Sequence, residues 1–169
     1  MARQRAAKNI DLHERALRLL SVRPRSRREL ELRLRRAGFE RDEVDEELIR
    51  LEAVGLVDDD AFAREVTEHH RTSRRSGRRA VVGALVAKGV SRQVIEEAIA
   101  GLGEDEDERA LELARERAPR LAGLPADTAF GRLASFLIRR GYEPTTARDA
   151  ARQALQRPEV EEHPRSDGM

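Results

Sequence analysis

The chain has 169 residues, 38% of them charged and only 3% aromatic, with no Cys and no Trp. The missing cysteines exclude a disulfide scaffold, a Cys-ligated metal site and a thiol nucleophile. No apolar run approaches the roughly 20 residues of a membrane span, and no apolar signal-peptide core follows the basic stretch Met1 to Asn9, so a soluble cytoplasmic protein without membrane contact is expected.

With so few aromatics, the core must come from Leu, Val, Ile and Ala. That suits thin helical layers and argues against a large β-sandwich. The net charge of +1 conceals strong segregation. Residues 1–39 carry +8, 40–70 carry −9, 71–95 carry +7, 96–117 carry −6, and 118–169 carry +1. Local fields are therefore large and alternate in sign.

Taken in chain order, residues 1–10 form a basic lead. A first helix is expected from about Asp11 to Ser21, with Leu12, Ala16, Leu19 and Leu20 inward and Pro24 beyond its end. Ser26-Arg27-Arg28-Glu29 reads as a capping box for the second helix. Asp42 is expected to cap the third, and Gly55 to end it. The cluster Asp58-Asp59-Asp60 opens the fourth, with Phe62, Val66 and His69 expected on one face; which Asp caps is left open. Ser91 is expected to cap the sixth helix and Asp127 the eighth. The seventh opens within Glu104 to Glu108, and Pro144 suits the first turn of the ninth.

An internal repeat of about fifty residues organises these elements. Gly38, Gly89 and Gly141 lie 51 and 52 residues apart. Eight residues before each stand Leu30, Val81 and Leu133; four before stand Leu34, Leu85 and Leu137. Directly after come Phe39, Val90 and Tyr142, and further on Val44, Ile95 and Ala147, then Leu48, Ile99 and Ala151. Each set is an apolar helix stripe, a Gly stop and a second stripe, with the Gly read as a left-handed cap. The expected fold is all-α: three tandem three-helix repeats in an elongated, curved array. The expected division is 11–57, 58–103 and 104–157, followed by a polar, disordered tail at 158–169.

The stretch Leu51-Glu52-Ala53-Val54-Gly55-Leu56-Val57-Asp58-Asp59-Asp60-Ala61-Phe62-Ala63 resembles the RecX family. So do the basic segment after Arg71 and the helix end Leu85-Val86-Ala87-Lys88-Gly89-Val90. Variants recur at Leu34 to Phe39 and Leu137 to Tyr142, and the similarity spans about residues 11 to 155. The resemblance implies a three-helix-repeat protein lodged along the groove of a RecA–DNA filament. It also implies suppression of recombinase, ATPase and coprotease activities, and so a place in recombination, DNA repair and the SOS response.

For chemistry, the sharpest candidates are Arg71, Arg74, Arg75, Arg78 and Arg79, with Lys88 at the helix end the resemblance picks out. No acid occurs in sequence between Arg71 and Glu96. Arginine there can make bidentate bonds to carboxylate or phosphate. A second cluster, Arg23 to Arg36, includes Glu29 and Glu31, so internal pairing takes up part of its charge. The acidic blocks are read as helix N-termini, not metal sites, since no EF-hand spacing is present. His69 and His70 point about 100° apart on a helix and form no ligand pair. No phosphate loop, Gly-x-Ser-x-Gly or His-Glu-x-x-His occurs, so no enzyme activity and no cofactor are expected. The expected partner is the RecA filament, with weak nonspecific DNA contact compatible and a monomer expected. The alternative is a helical DNA-binding protein or transcription regulator.

Overall fold

The computed structural model describes residues 2–156, with side chains from residue 11 onward. Among the described residues there are nine α-helices and no strand. They are α1 (Ala2–Val22), α2 (Arg27–Arg36), α3 (Arg41–Ala53), α4 (Asp59–Thr72), α5 (Arg78–Ala87), α6 (Arg92–Ala98), α7 (Glu106–Arg117), α8 (Ala126–Arg139) and α9 (Pro144–Leu155). A 3₁₀ turn at Ala118–Leu121 follows α7, with Pro119 in its first turn. The tail beyond 156 lies outside the described residues. The first helix starts upstream of the expected Asp11, at Ala2.

The repeated apolar positions form three cores. Leu30, Leu34, Val44 and Leu48 close with Leu12, Ala16, Leu51 and Val57 into the first. Val81, Leu85, Ile95 and Ile99 join Phe62, Ala63, Val90 and Leu102 in the second. Leu133, Leu137, Ala147 and Ala151 join Ala110, Leu113, Ala114 and Tyr142 in the third. These side chains gather because apolar residues three and four apart share one helix face.

Helix ends follow the sequence in part. Ser26 accepts from the Glu29 amide, Asp58 from Ala61 and Ser91 from Val94, each as an N-cap. Gly38, Gly55, Gly89 and Gly141 have positive φ, from 70° to 94°, and close α2, α3, α5 and α8. Two caps differ from expectation. Glu40, not Asp42, is the N-cap of α3, in a reciprocal box with Glu43. Pro125, not Asp127, precedes α8. Both aspartates fall in the first turn instead, where the positive end of the helix dipole still favours them.

Neighbouring units are stitched end to start. The Ser26 hydroxyl, at the start of α2, donates to the Lys88 carbonyl at the end of α5, 2.6 Å away. The Gly77 amide, at the start of α5, donates to the Arg140 carbonyl at the end of α8 at 3.0 Å, and Arg79 N–H donates to the Gly141 carbonyl at 3.1 Å. In the same way a carboxylate from the next unit takes the first amide of α2 and of α5. Asp59 accepts from Arg27 N–H at 2.7 Å, and Glu106 accepts from Arg78 N–H at 2.8 Å. Helix starts carry amides without intrahelical partners, and these contacts satisfy them. Burial pushes the Asp59 carboxyl up against the opposing effect of the Arg27 amide.

Candidate partner-binding surface

The segment from Arg71 to Arg79 turns from α4 into α5 across the junction with the third unit. Its backbone is held tightly there. Arg75 adopts a left-handed φ of 48°, the only such non-glycine among the described residues. Its carbonyl accepts from the Tyr142 hydroxyl at 3.1 Å, and the Arg74 carbonyl accepts from Arg140 Nη1 at 2.6 Å. Ser76 N–H donates back to the His70 carbonyl at 2.9 Å.

The side chains divide into two groups. Arg71 pairs with Asp105 at 2.8 Å. Arg75 pairs with Glu116 at 2.7 Å and Glu112 at 3.7 Å, and Arg79 with Glu143 at 3.8 Å. These acids lie 34 to 64 residues further along the chain, which is why no competitor is visible in the local sequence. The hydrogen bond from Arg71, then Arg109 nearby, holds the Asp105 carboxyl below its ordinary value despite some burial. The bond to Glu116 raises the Arg75 guanidinium above its own. Arg74 and Arg78, by contrast, are exposed and have no carboxylate at ion-pair distance among the described residues.

Lys88 and Arg74 are brought to one cleft of about 510 Å³, where Arg23 of the first unit joins them. Lys88 Nζ lies 3.1 Å from Glu29, which also binds Arg23, Arg25 and Arg33. Burial raises the Glu29 carboxyl, but hydrogen bonds from Lys88, Arg23 and Arg25 outweigh it and bring it down to about 2. In the rest of that first basic cluster, Arg28 and Arg35 pair with Glu31, and Arg27 pairs with Glu52. Pairing therefore absorbs most of the first cluster, as its interspersed acids suggest.

The histidines of α4 reverse the expected order: His70 is buried and His69 exposed, and burial, then Arg74 and His69, lower the His70 pKa. On α1, His13 Nδ1 lies 2.6 Å from the buried Glu47. The guanidiniums of Arg117 and Arg140 lie 5.1 and 5.4 Å from the Phe136 ring centre. The Arg139-Arg140 pair is the sequence signal nearest to that cluster. Among the described residues no group of three or more His, Asp or Glu is placed to hold a metal ion, and no helix is long and apolar enough to cross a membrane.

Among the described residues, nine helices in three end-to-start units, joined through seams of cations and carboxylates, define an all-α tandem-repeat protein with a basic surface at its middle unit. Two family models match it: RecX, first three-helix domain, over residues 13–51, and RecX, second three-helix domain, over 58–99. The regulatory protein RecX of Streptomyces coelicolor is 38% identical over 83% of this chain and 75% of its own length. That of Mycobacterium ulcerans is 42% identical over 78% and 77%. The crystal structure of RecX from Lactobacillus salivarius superposes with a TM-score of 0.78 at 23% identity, over 89% of this chain and 97% of that one. The chain belongs to the RecX family of regulatory proteins.

Proposed function

We propose that the protein is a negative regulator of the RecA recombinase, binding the RecA–DNA filament and suppressing its ATPase, strand-exchange and coprotease activities. Membership of the RecX family supports the partner; one structural observation supports the site. Arg74 and Arg78 stand exposed with no carboxylate at ion-pair distance among the described residues, while their neighbours Arg71, Arg75 and Arg79 face carboxylates of the third unit. A cation already paired must break that pair to bind elsewhere; an unpaired one need only shed water. The contact is accordingly assigned to Arg74 and Arg78; Lys88 joins them as one of four cations sharing the single Glu29 carboxylate, which leaves charge in excess, and Arg71, Arg75 and Arg79 are assigned to holding the second and third units together. The three cores at 12–57, 62–102 and 110–151 are taken as the working modules, in place of one globular domain.

The protein acts by occupying surface, with no reaction of its own. ATP hydrolysis by RecA filaments on single-stranded DNA, titrated with the protein, tests this reading. A dose-dependent fall is expected, together with co-sedimentation of the protein with the filament. Unchanged hydrolysis with no co-sedimentation would overturn it.

A further inference from the structure

The cleft between the first and second units is apolar at its floor and cationic at its rim. Phe62, Val66, Ala84 and Ala87 supply the floor, and Arg23, Arg74 and Lys88 the rim; Glu65 is the one carboxylate in its lining. At about 510 Å³ it falls in the size range of ligand pockets. His70 lines it and is only 8% exposed. The exposed rim charge is also in excess: Glu29 is shared by Arg23 and Lys88, and Arg74 has no carboxylate at ion-pair distance among the described residues.

We propose that this cleft anchors an acidic protein segment, taking one large apolar side chain on the Phe62–Ala84 floor while flanking carboxylates meet Arg74 and Lys88. The proposal rests on the reading of the protein as a regulator that binds another protein, and adds where and by what chemistry it grips. A nucleic acid fits less well. Phosphates would suit the rim, but a base seated on this floor would find almost no partners for its polar edge.

The test uses the full-length protein and a fluorophore-labelled peptide, Glu-Glu-Leu-Leu-Glu-Asp, followed by anisotropy. The peptide with Ser in place of both Leu is expected to bind at least about tenfold weaker, since one buried Leu is worth about that factor or more. Ala84→Phe, which fills the floor, is expected to weaken peptide binding about tenfold and filament co-sedimentation with it. If Ala84→Phe lowers the melting temperature, the more exposed Ala87→Leu is read in its place. Equal affinity for both peptides, or displacement of the peptide by an oligo-dT strand at lower concentration than by unlabelled peptide, would overturn the proposal. So would normal filament binding by the filled variants alongside its loss in the Arg74→Glu/Arg78→Glu protein, an outcome that leaves the regulatory function standing. A parent protein that binds the peptide in the Leu-dependent way but never the filament would support the cleft and remove the RecA reading.

Discussion

The Ser26 hydroxyl reaches across to the Lys88 carbonyl, 62 residues away, at 2.6 Å. One unit further along, Gly77 and Arg140 make the equivalent contact at 3.0 Å through the backbone amide. In both places the start of one middle helix seals the end of the next unit's middle helix. A carbonyl left unpaired at a helix end takes a donor from the neighbouring helix start, a side-chain hydroxyl at the first junction and a backbone amide at the second. The seam leaves almost no space. A Cβ on Gly77 would sit 2.4 Å from the Gly141 carbonyl oxygen, and one on Gly89 would sit 2.4 Å from Arg28 Cγ.

Charge reversal separates binding from architecture. Arg74→Glu/Arg78→Glu is expected to weaken inhibition of the filament ATPase by more than about tenfold with an unchanged melting temperature, because interfacial charge pairs couple by roughly 1.5–7 kcal/mol while exposed charges contribute little to folding. Arg75→Glu/Arg79→Glu would face Glu112, Glu116 and Glu143. It is expected to cost roughly 1 kcal/mol of stability, read from urea unfolding. Equal inhibition by the first variant and the parent would move the contact off this segment.

Glycine substitutions report the seam directly. Gly77→Ala puts its methyl into backbone atoms that cannot swing aside. It is expected to destabilise by about 1–3 kcal/mol, as overpacking does. Gly83→Ala, inside α5 with open space around the new Cβ, is expected to stabilise by up to about 1 kcal/mol. Chemical denaturation of both variants, with the parent as reference, measures the difference; a neutral Gly77→Ala would mean the seam opens freely.

Acid unfolding tests the Glu29 hub. Its carboxyl falls from 4.5 to about 2 on folding, so its contribution is fully present above about pH 4.5 and is lost as the pH falls through 2. The ceiling is about 3 kcal/mol at 1.36 kcal/mol per unit, reduced by water screening of the half-exposed Arg23, Arg33 and Lys88. Glu29→Gln is expected to lower stability at pH 7 and to flatten the decline between pH 4.5 and 2. A parallel decline in the two proteins would remove Glu29 from the account.

Tyr142→Phe removes one hydroxyl and leaves the ring in the third core. The Arg75 carbonyl then loses its donor at 3.1 Å. A loss of about 0.5–1.5 kcal/mol is expected, as for one hydrogen bond. Thermal unfolding, followed at a wavelength that reports helix, gives the value.

Much of the fold was readable from the chain because its determinants are local. A period of three and four in Leu and Val, a Gly that tolerates positive φ and a Ser or Asp before a helix act within a few residues of each other, and they specified the units and most of their ends. Asp42 and Asp127 were misplaced by two residues, since acids anywhere in a first turn look alike in sequence while only one residue has the extended backbone of a cap. The joining of units was not readable. It depends on contacts such as Arg75 with Glu116 and Arg27 with Asp59, which pair residues 41 and 32 apart. Five arginines that form one run in sequence therefore become two sets with different work. The sequence by itself determined that the run exists and carries no local acid; only the tertiary structure decided that three of its charges meet carboxylates across a seam and two have none among the described residues, because ion pairing depends on distance in space and the chain's local order says nothing about that.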